Sequence, residues 1–396
     1  MIIRKAFKFR LKTSSKIEGD LFRFSGCARF VWNKALALQK DLLEKKEKLL
    51  NYSKLAGLLC QWKETPETAF LNEVHSQPLQ QTLMNLDKAI KEAFSKTNPK
   101  QFPVFKKKGK SDSFRYPQGF KIDENKVFLP KIGWVSFFKS REIEGTPRNL
   151  TVSRRGEHWF VSIQVEMDIP NPIHPSTSTI GIDVGVKRFA TLSDGTYIEP
   201  LSSFKKLEKK LSTEQRKLSR KVKGSINWKK QKTTISKIHI KIADARNDFL
   251  HKTSTTISKN HAVVMLEELR IKNMSKSAKG TKENPGKNVK AKAGLNKSIL
   301  DQGWFEFRRQ LEYKEAWLGG KVIPVPAHHT SQTCPACGTV AGENRPSQEV
   351  FFCVHCGYKD NADFVAARNI LAVGHTVSAC GDTGVVGLLA QESPLL

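Results

Sequence analysis

The sequence contains no apolar run approaching 18 residues, which excludes a helical membrane span. Its opening residues, MIIRKAFKFRLKT, hold no continuous apolar stretch, so no secretory signal is expected. With 25 Gly and 17 Pro among 396 residues, the chain is too poor in both to be collagen-like or disordered. No repeat of 20–50 residues is visible, which excludes a solenoid or propeller array. Acidic residues are scarce, 38 Asp+Glu against 67 Lys+Arg, and leave a net charge of +29. Self-repulsion of that size opposes compaction unless a polyanion neutralises it, so nucleic acid is the expected partner. A membrane surface is the rival, but no basic amphipathic helix with a Trp/Phe/Leu face stands out, and no membrane partner is expected. The seven cysteines form no disulfide framework: Cys27, Cys60 and Cys380 stand alone, and an odd count fits a reducing cytoplasm. What remains is a soluble globular chain long enough for two or three domains.

Residues 1–12 alternate, with Phe7, Phe9 and Leu11 on one face and Lys8, Arg10 and Lys12 on the other, as in a strand with a basic outer face. From about 20 to 60 the steps of three and four through Phe24, Cys27, Val31, Ala35, Leu38 and Leu42 predict one amphipathic helix. Pro78 opens another through Leu79, Leu83, Leu86, Ile90 and Phe94. Leu150 and Val152, then Trp159, Val161, Ile163 and Val165, flank a turn at 154–157 as a hairpin, with which the first strand is expected to pair. Pro170, Pro172 and Pro175 mark a linker. Beyond it come a buried strand through Ile180, Ile182, Val184 and Val186 and a Lys-rich helical region at 201–258, interrupted at Gly224-Ser225. A short apolar strand at 261–268 ends in carboxylates. Residues 275–297 are basic and poor in apolar side chains, and read as a mobile loop. A helix through Leu300, Trp304, Phe307, Leu311 and Leu318 stops at Gly319-Gly320. A strand at 322–325 and a helix from Phe364 to about Val373 complete the pattern.

Two constellations carry chemistry. Cys334-Pro-Ala-Cys337 and Cys353-Val-His-Cys356, fifteen residues apart, match a zinc ribbon: each turn offers two thiolates, and four together leave no open position for catalysis. The zinc is expected to be structural. Gly338 and Gly357 follow each pair, where the knuckle turns sharply. The second constellation is acidic. Asp183 lies inside an apolar strand, Glu267 ends another and Asp363 precedes a late helix. Each has a plain structural reading: an acid beside turn glycines, a solvated strand end, a helix N-cap. Taken together they follow the order of an RNase H-like fold, in which adjacent strand ends bring carboxylates to one point. Three hard oxygen donors there would hold Mg²⁺, and a metal pair would activate water against a phosphodiester. His261, His328 and His329 read as support.

The segments GIDVGVKRFATLSDG (181–195), VVMLEELRIKNM (263–274), HHTSQTCPACG (328–338), FFCVHCGY (351–358) and NADFVAARNIL (361–371) resemble the TnpB family, the transposon-encoded RNA-guided DNA nucleases related to type V CRISPR effectors. In the front half, SGCARFVWNKAL (25–36) and FPVFKKKGKSDSFRYP (102–117) follow the same family pattern, so the likeness covers all but the last twenty residues. The resemblance implies an α/β multidomain protein. A wedge β-barrel (1–13 and 98–172) would carry an inserted helical recognition bundle (14–97). A RuvC-like nuclease (178–327 and 359–375) would be interrupted by the zinc ribbon (328–358), which contacts target nucleic acid, and a tail (376–396) would follow. It places the catalytic, Mg²⁺- or Mn²⁺-binding triad on Asp183, Glu267 and Asp363, with Glu268 a neighbour. The family's Asn two residues after the final Asp is Val365 here.

The resemblance further implies a ribonucleoprotein in a prokaryotic cytoplasm. A guide RNA from the transposon end would select double-stranded target DNA by pairing. Wedge and recognition residues would read a short transposon-adjacent motif, the candidates being Gln80, Gln81, Lys106, Lys107, Arg115 and Tyr116, any of which could instead be a non-specific phosphate contact. Two other classes stay open: an RNase H-like transposase acting on transposon ends, and a nucleic-acid-binding regulator of transposition.

Overall fold

The computed structural model describes residues 1–97, 100–110 and 112–381, in two compact units, Met1–Pro170 and Asn171–Leu396. Residues 382–396, most of the expected tail, lie outside the described residues. Among the described residues no helix is long and apolar enough to cross a membrane.

In the first unit β1 (Ile2–Arg10) is followed by α1 (Ser15–Glu44), α2 (Tyr52–Glu64), a 3₁₀ segment (Pro66–Glu73) and α3 (Ser76–Ala93). Six strands come next: β2 (Ser113–Tyr116), β3 (Lys121–Asp123), β4 (Lys126–Leu129), β5 (Gly133–Ser136), β6 (Thr146–Arg155) and β7 (His158–Asp168). Strand β1 does pair with the late hairpin, antiparallel to β7 with Phe7 opposite Ile163 and Phe9 opposite Val161. The sheet order is β1-β7-β6-β2, and a separate three-stranded sheet, β3-β4-β5, joins it through a bridge between Leu11 and Phe137. The inward positions of the alternating strands pack with Phe24, Val31 and Leu83 of the helices in one core.

The helix expected at 20–60 is two helices. The chain reverses at Lys46 in a left-handed conformation (φ 59°), and the Gln39 side chain clamps Leu50, donating to its carbonyl at 2.6 Å and accepting from its N–H at 2.9 Å. Asn51 then caps α2 by accepting from the Lys54 N–H at 3.1 Å. The break depends on a partner eleven residues back in the chain, which the apolar periodicity does not register.

The second unit contains β8 (Thr179–Val184), β9 (Ala190–Leu192), β10 (Tyr197–Ile198), α4 (Ser203–Ser219), α5 (Ile226–Asn260), β11 (Val263–Glu267) and α6 (Ile271–Met274). After these come α7 (Val289–Gln302), α8 (Trp304–Leu318), β12 (Lys321–Val325), β13 (Val350–Phe352), β14 (Lys359–Asn361) and α9 (Ala362–Gly381). The main sheet runs β10-β9-β8-β11-β12: β8, β11 and β12 are mutually parallel, and β9 and β10 return antiparallel. Buried Ile182, Val264 and Leu266 pack on Leu250, Phe307 and Leu311 of α5 and α8, while Met265, Ile323 and Val325 pack with Ile370 of α9. Helices thus cover the sheet on both faces.

Residues 275–297 are not one loop. Their second half is the start of α7, which buries Ile299 and whose Asp301 carboxylate accepts from Ser203 Oγ and the Phe204 N–H, both at 2.9 Å, thereby capping α4. Lys292 Nζ and Asn296 Nδ2 tie the same helix to the Met274 and Ser275 carbonyls. Gly303 (φ 76°) then separates α7 from α8, dividing what the periodicity presents as one helix from Leu300 to Leu318.

Candidate active site and metal centre

Asp183 and Glu267 stand at the C-terminal ends of neighbouring parallel strands. The register pairs Leu266 of β11 with Ile182 of β8, so the next residue on each strand is a carboxylate. Asp363 reaches them from the first turn of α9. It is not the cap of that helix: Asn361 Oδ1 accepts from the N–H groups of Asp363 (3.1 Å) and Phe364 (3.3 Å), which frees the Asp363 carboxylate.

Gly181 is what lets α9 approach β8. A Cβ there would lie 2.3 Å from the Ala367 carbonyl oxygen and 2.8 Å from the Leu371 nitrogen, both backbone atoms of α9. Gly181→Ala is therefore expected to push α9 off the sheet, lowering the melting temperature and disabling any chemistry that needs Asp363 beside Asp183. A thermal melt together with an activity assay checks this, and an unchanged melt would show that the contact is not tight.

The electrostatics show that the carboxylates share one space. Burial, then the negative charges of Glu267 and Asp363, push the Asp183 carboxyl up to about 8, with Arg345 opposing. Glu267 is also raised by burial, against a hydrogen bond donated by Thr330 Oγ1 to its Oε1 at 3.1 Å. Arg345 NH2 lies 3.4 Å from Asp363 Oδ1. Repulsion of this kind is what a divalent cation relieves, so the donor set fits a hard metal ion. The acids are less tightly gathered than the cysteines, which among the described residues form the one cluster close enough to count as a ready metal site. Glu268 is exposed and points elsewhere, 3.9 Å from Arg308.

Cys334, Cys337, Cys353 and Cys356 have sulfur atoms all within 4.8 Å of one another, with Cys334–Cys356 and Cys337–Cys353 at 3.6 Å. Tetrahedral zinc at about 2.3 Å from each sulfur requires separations of about 3.8 Å, and a disulfide about 2.05 Å, so the cluster can hold a zinc ion and is not cross-linked. The two knuckles repeat one pattern. Cys334 N–H donates to the Thr339 carbonyl and Gly338 N–H to the Cys334 carbonyl; Cys353 with Tyr358, and Gly357 with Cys353, do the same. Gly338 and Gly357 have φ of 75° and 74°, as their place after each Cys pair predicts. Hydrogen bonding with Thr339 brings the Cys337 thiol down to about 5, toward the thiolate a metal requires. Buried Asn344 ties the knuckles together, donating to the Gln332 and Thr339 carbonyls and accepting from the Val354 N–H.

The cysteine unit also shapes the acidic site. Asn369 of α9 donates to the Thr330 and Thr333 carbonyls, each at 2.7 Å, and so fixes the segment that carries Thr330 to Glu267. Thr330, Arg345, Asn361 and Asn369 escaped the sequence reading; only Asn361, an Asx residue ahead of a helical period, left a local signal.

The six candidate nucleic-acid contacts do not form one surface. Tyr116 is a core residue: it is fully buried, its hydroxyl donates to the Pro130 carbonyl at 2.9 Å, and burial raises its pKa. Its ring is not presented to a ligand, which corrects that expectation. Lys106 is engaged within the protein, its ammonium 4.0 Å from the Trp32 ring centre, its backbone held by Asn33 and its pKa lowered by burial. Gln81 donates to Asn85 at 3.0 Å. Gln80 and Lys107 are exposed, and Arg115 is half-buried on the polar face of the first unit's sheet, across from Thr151.

Residues 162–278 match a family model described as "Probable transposase" (OrfB_IS605) and residues 304–370 one described as "Cas12f1-like, TNB domain". Residues 1–48 match a "Helix-turn-helix domain" model, although they form β1 and the whole of α1 here. The chain is 51% identical over 392 residues to "Putative RNA-guided DNA endonuclease InsQ" of Escherichia coli K12, covering 98% of this chain and 97% of that one. It is 36% identical over 392 residues to a protein of the same description from Streptomyces pristinaespiralis, covering 96% and 92%. A cryo-EM structure of a Cas12f1-sgRNA-target DNA complex superposes with a TM-score of 0.52 at 14% identity over 93% of this chain and 98% of that one, a likeness of fold.

Proposed function

Because this chain belongs to the TnpB family, whose members above bear the name RNA-guided DNA endonuclease, we propose that it is a metal-dependent, RNA-guided DNA endonuclease of a transposable element. The observation that carries this reading is the convergence of Asp183, Glu267 and Asp363 at the C-terminal edge of β8 and β11. The second unit is then an RNase H-like (RuvC) nuclease over 178–327 and 359–375, and 328–358 is its zinc ribbon. In the first unit the strands of 1–13 and 98–172 act as the wedge barrel and 14–97 as the recognition bundle. Gln80, Lys107 and Arg115 remain the candidates for contact with DNA beside the target.

Asp183, Glu267 and Asp363 would hold Mg²⁺ or Mn²⁺. When bound, the ion supplies a lowered pKa for the attacking water and stabilisation of the leaving oxygen of the phosphodiester. Asp183 must give up its proton to serve as a ligand. Thr330 orients Glu267, and Arg345 places a fixed positive charge where phosphate charge accumulates. The net charge of +29 suits a guide RNA and a DNA duplex as partners, with sequence selection delegated to base pairing. Cleavage of a programmed target is expected to require Mg²⁺ or Mn²⁺ and to vanish in Glu267→Gln; cutting at full rate without a divalent ion would refute the carboxylate–metal assignment.

A further inference from the structure

We infer that Phe305 is a substrate-positioning residue, a platform on which one base of the strand being cut stacks, with Arg270 at the adjoining phosphate; the inference rests on the nuclease reading above. The geometry is that of a cleft of about 380 Å³ that shares Glu267 with the acidic site and is lined among others by Arg270, Trp304, Phe305 and Arg308. Gly303 resets the chain in a left-handed conformation (φ 76°) at the start of α8, where an added Cβ would lie 3.1 Å from Leu250 and 3.3 Å from Arg246, so a bare glycine suits the junction. Trp304 and Phe307 then point into the core, 5% and 0% exposed, whereas Phe305 between them is 72% exposed.

A single exposed aromatic needs no explanation by itself. This one lies in the cleft that holds a candidate catalytic carboxylate, and its cationic surroundings are selective. Arg308 is paired with Glu312 at 2.8 Å and Arg309 with Glu306 at 2.6 Å. Arg270, exposed at the start of α6 and three residues beyond Glu267, is the cleft arginine whose guanidinium has no ion pair or hydrogen bond among the described residues. An open aromatic face beside a free cation is the combination that holds an unpaired nucleotide, ring on base and charge on phosphate. A base inside a duplex is stacked on both faces, so the platform serves a nucleotide already lifted from its helix. Stacking there would fix the neighbouring phosphodiester relative to Glu267.

The test uses the chain purified with its bound RNA and a cognate target carrying 2-aminopurine at positions flanking the cut. Phe305→Leu keeps apolar bulk but removes the π face; Phe305→Trp keeps it. Phe305→Leu is expected to slow cleavage at saturating target by roughly tenfold or more, with target binding and melting temperature unchanged. Phe305→Trp is expected to cut at near the wild-type rate. In magnesium-free wild type one 2-aminopurine is expected to be quenched, and to brighten in Phe305→Leu. Equal cleavage rates for Phe305→Leu and Phe305→Trp overturn the inference. Glu267→Gln in parallel separates it from its premise: if that variant cuts normally, the site assignment fails, whereas an inactive Glu267→Gln beside a fully active Phe305→Leu overturns the stacking role alone.

Discussion

Asp183→Asn is expected to abolish cleavage and, without Mg²⁺, to make the protein more stable than wild type at neutral pH. In the folded chain the Asp183 carboxyl is raised from 3.8 to about 8, by burial and then by Glu267 and Asp363. The native state therefore holds a proton that the unfolded chain releases above pH 4. A group raised in this way contributes its stability below the unfolded pKa and loses it steadily as pH climbs through the folded value. At 1.36 kcal/mol per unit the full shift corresponds to at most about 6 kcal/mol, which relaxation of the buried site reduces. Asparagine does not ionise, so the gain of the variant should grow between pH 4 and 8 and level off above. Melting curves across that range, with and without Mg²⁺, provide the check. Magnesium should stabilise wild type and leave the variant unmoved. Retained cutting, or the same pH slope in both proteins, would remove Asp183 from the site.

Cys353→Ser is expected to have the other large effect. A structural zinc contributes roughly 10–16 kcal/mol to the folding of a small domain, far more than the modest core of Phe351, Ala362 and Val365 can replace. Loss of one ligand should empty the site and unravel residues 328–358. Because Thr330 and Arg345 lie on that segment, Glu267 and Asp363 lose their hydrogen-bond partners at the same time, and cleavage should fail although no carboxylate has changed. The first unit contains none of the zinc ligands and should keep its melting transition. Zinc content by elemental analysis and limited proteolysis at 328–358 are the measurements. One zinc per chain with an unchanged melt would contradict the ribbon.

The cysteine centre was the most legible part of the sequence, because ligand chemistry fixes residue type and spacing together and the two following glycines mark the turns. Alternation served nearly as well for strands such as β1 and β7, whose faces differ sharply in polarity. It also held a signal that was passed over: in Ser113-Phe114-Arg115-Tyr116 the period of two sets Tyr116 on the same face as Phe114, inward, whatever its aptitude for nucleic acid. Composition misled at 289–297, where lysines and alanines read as part of a loop but begin α7, since helix propensity and the Asp301 contacts with α4 outweigh low hydrophobicity. Asp183 and Glu267 could be named from their strands and Asp363 from its helix start, but their supports could not. Arg345 meets Asp363 and Thr330 meets Glu267 across 18 and 63 residues of chain, and no local pattern encodes such pairings.

The most direct test of the central claim is to express the chain with its native flanking DNA, sequence the RNA that stays bound through purification in high salt, and then replace the segment of that RNA that lies beyond the element. One dominant RNA of fixed boundary is expected, with magnesium-dependent cutting that moves to whatever DNA the new segment matches. Heterogeneous RNA, or cutting at the same place after the replacement, would contradict the claim.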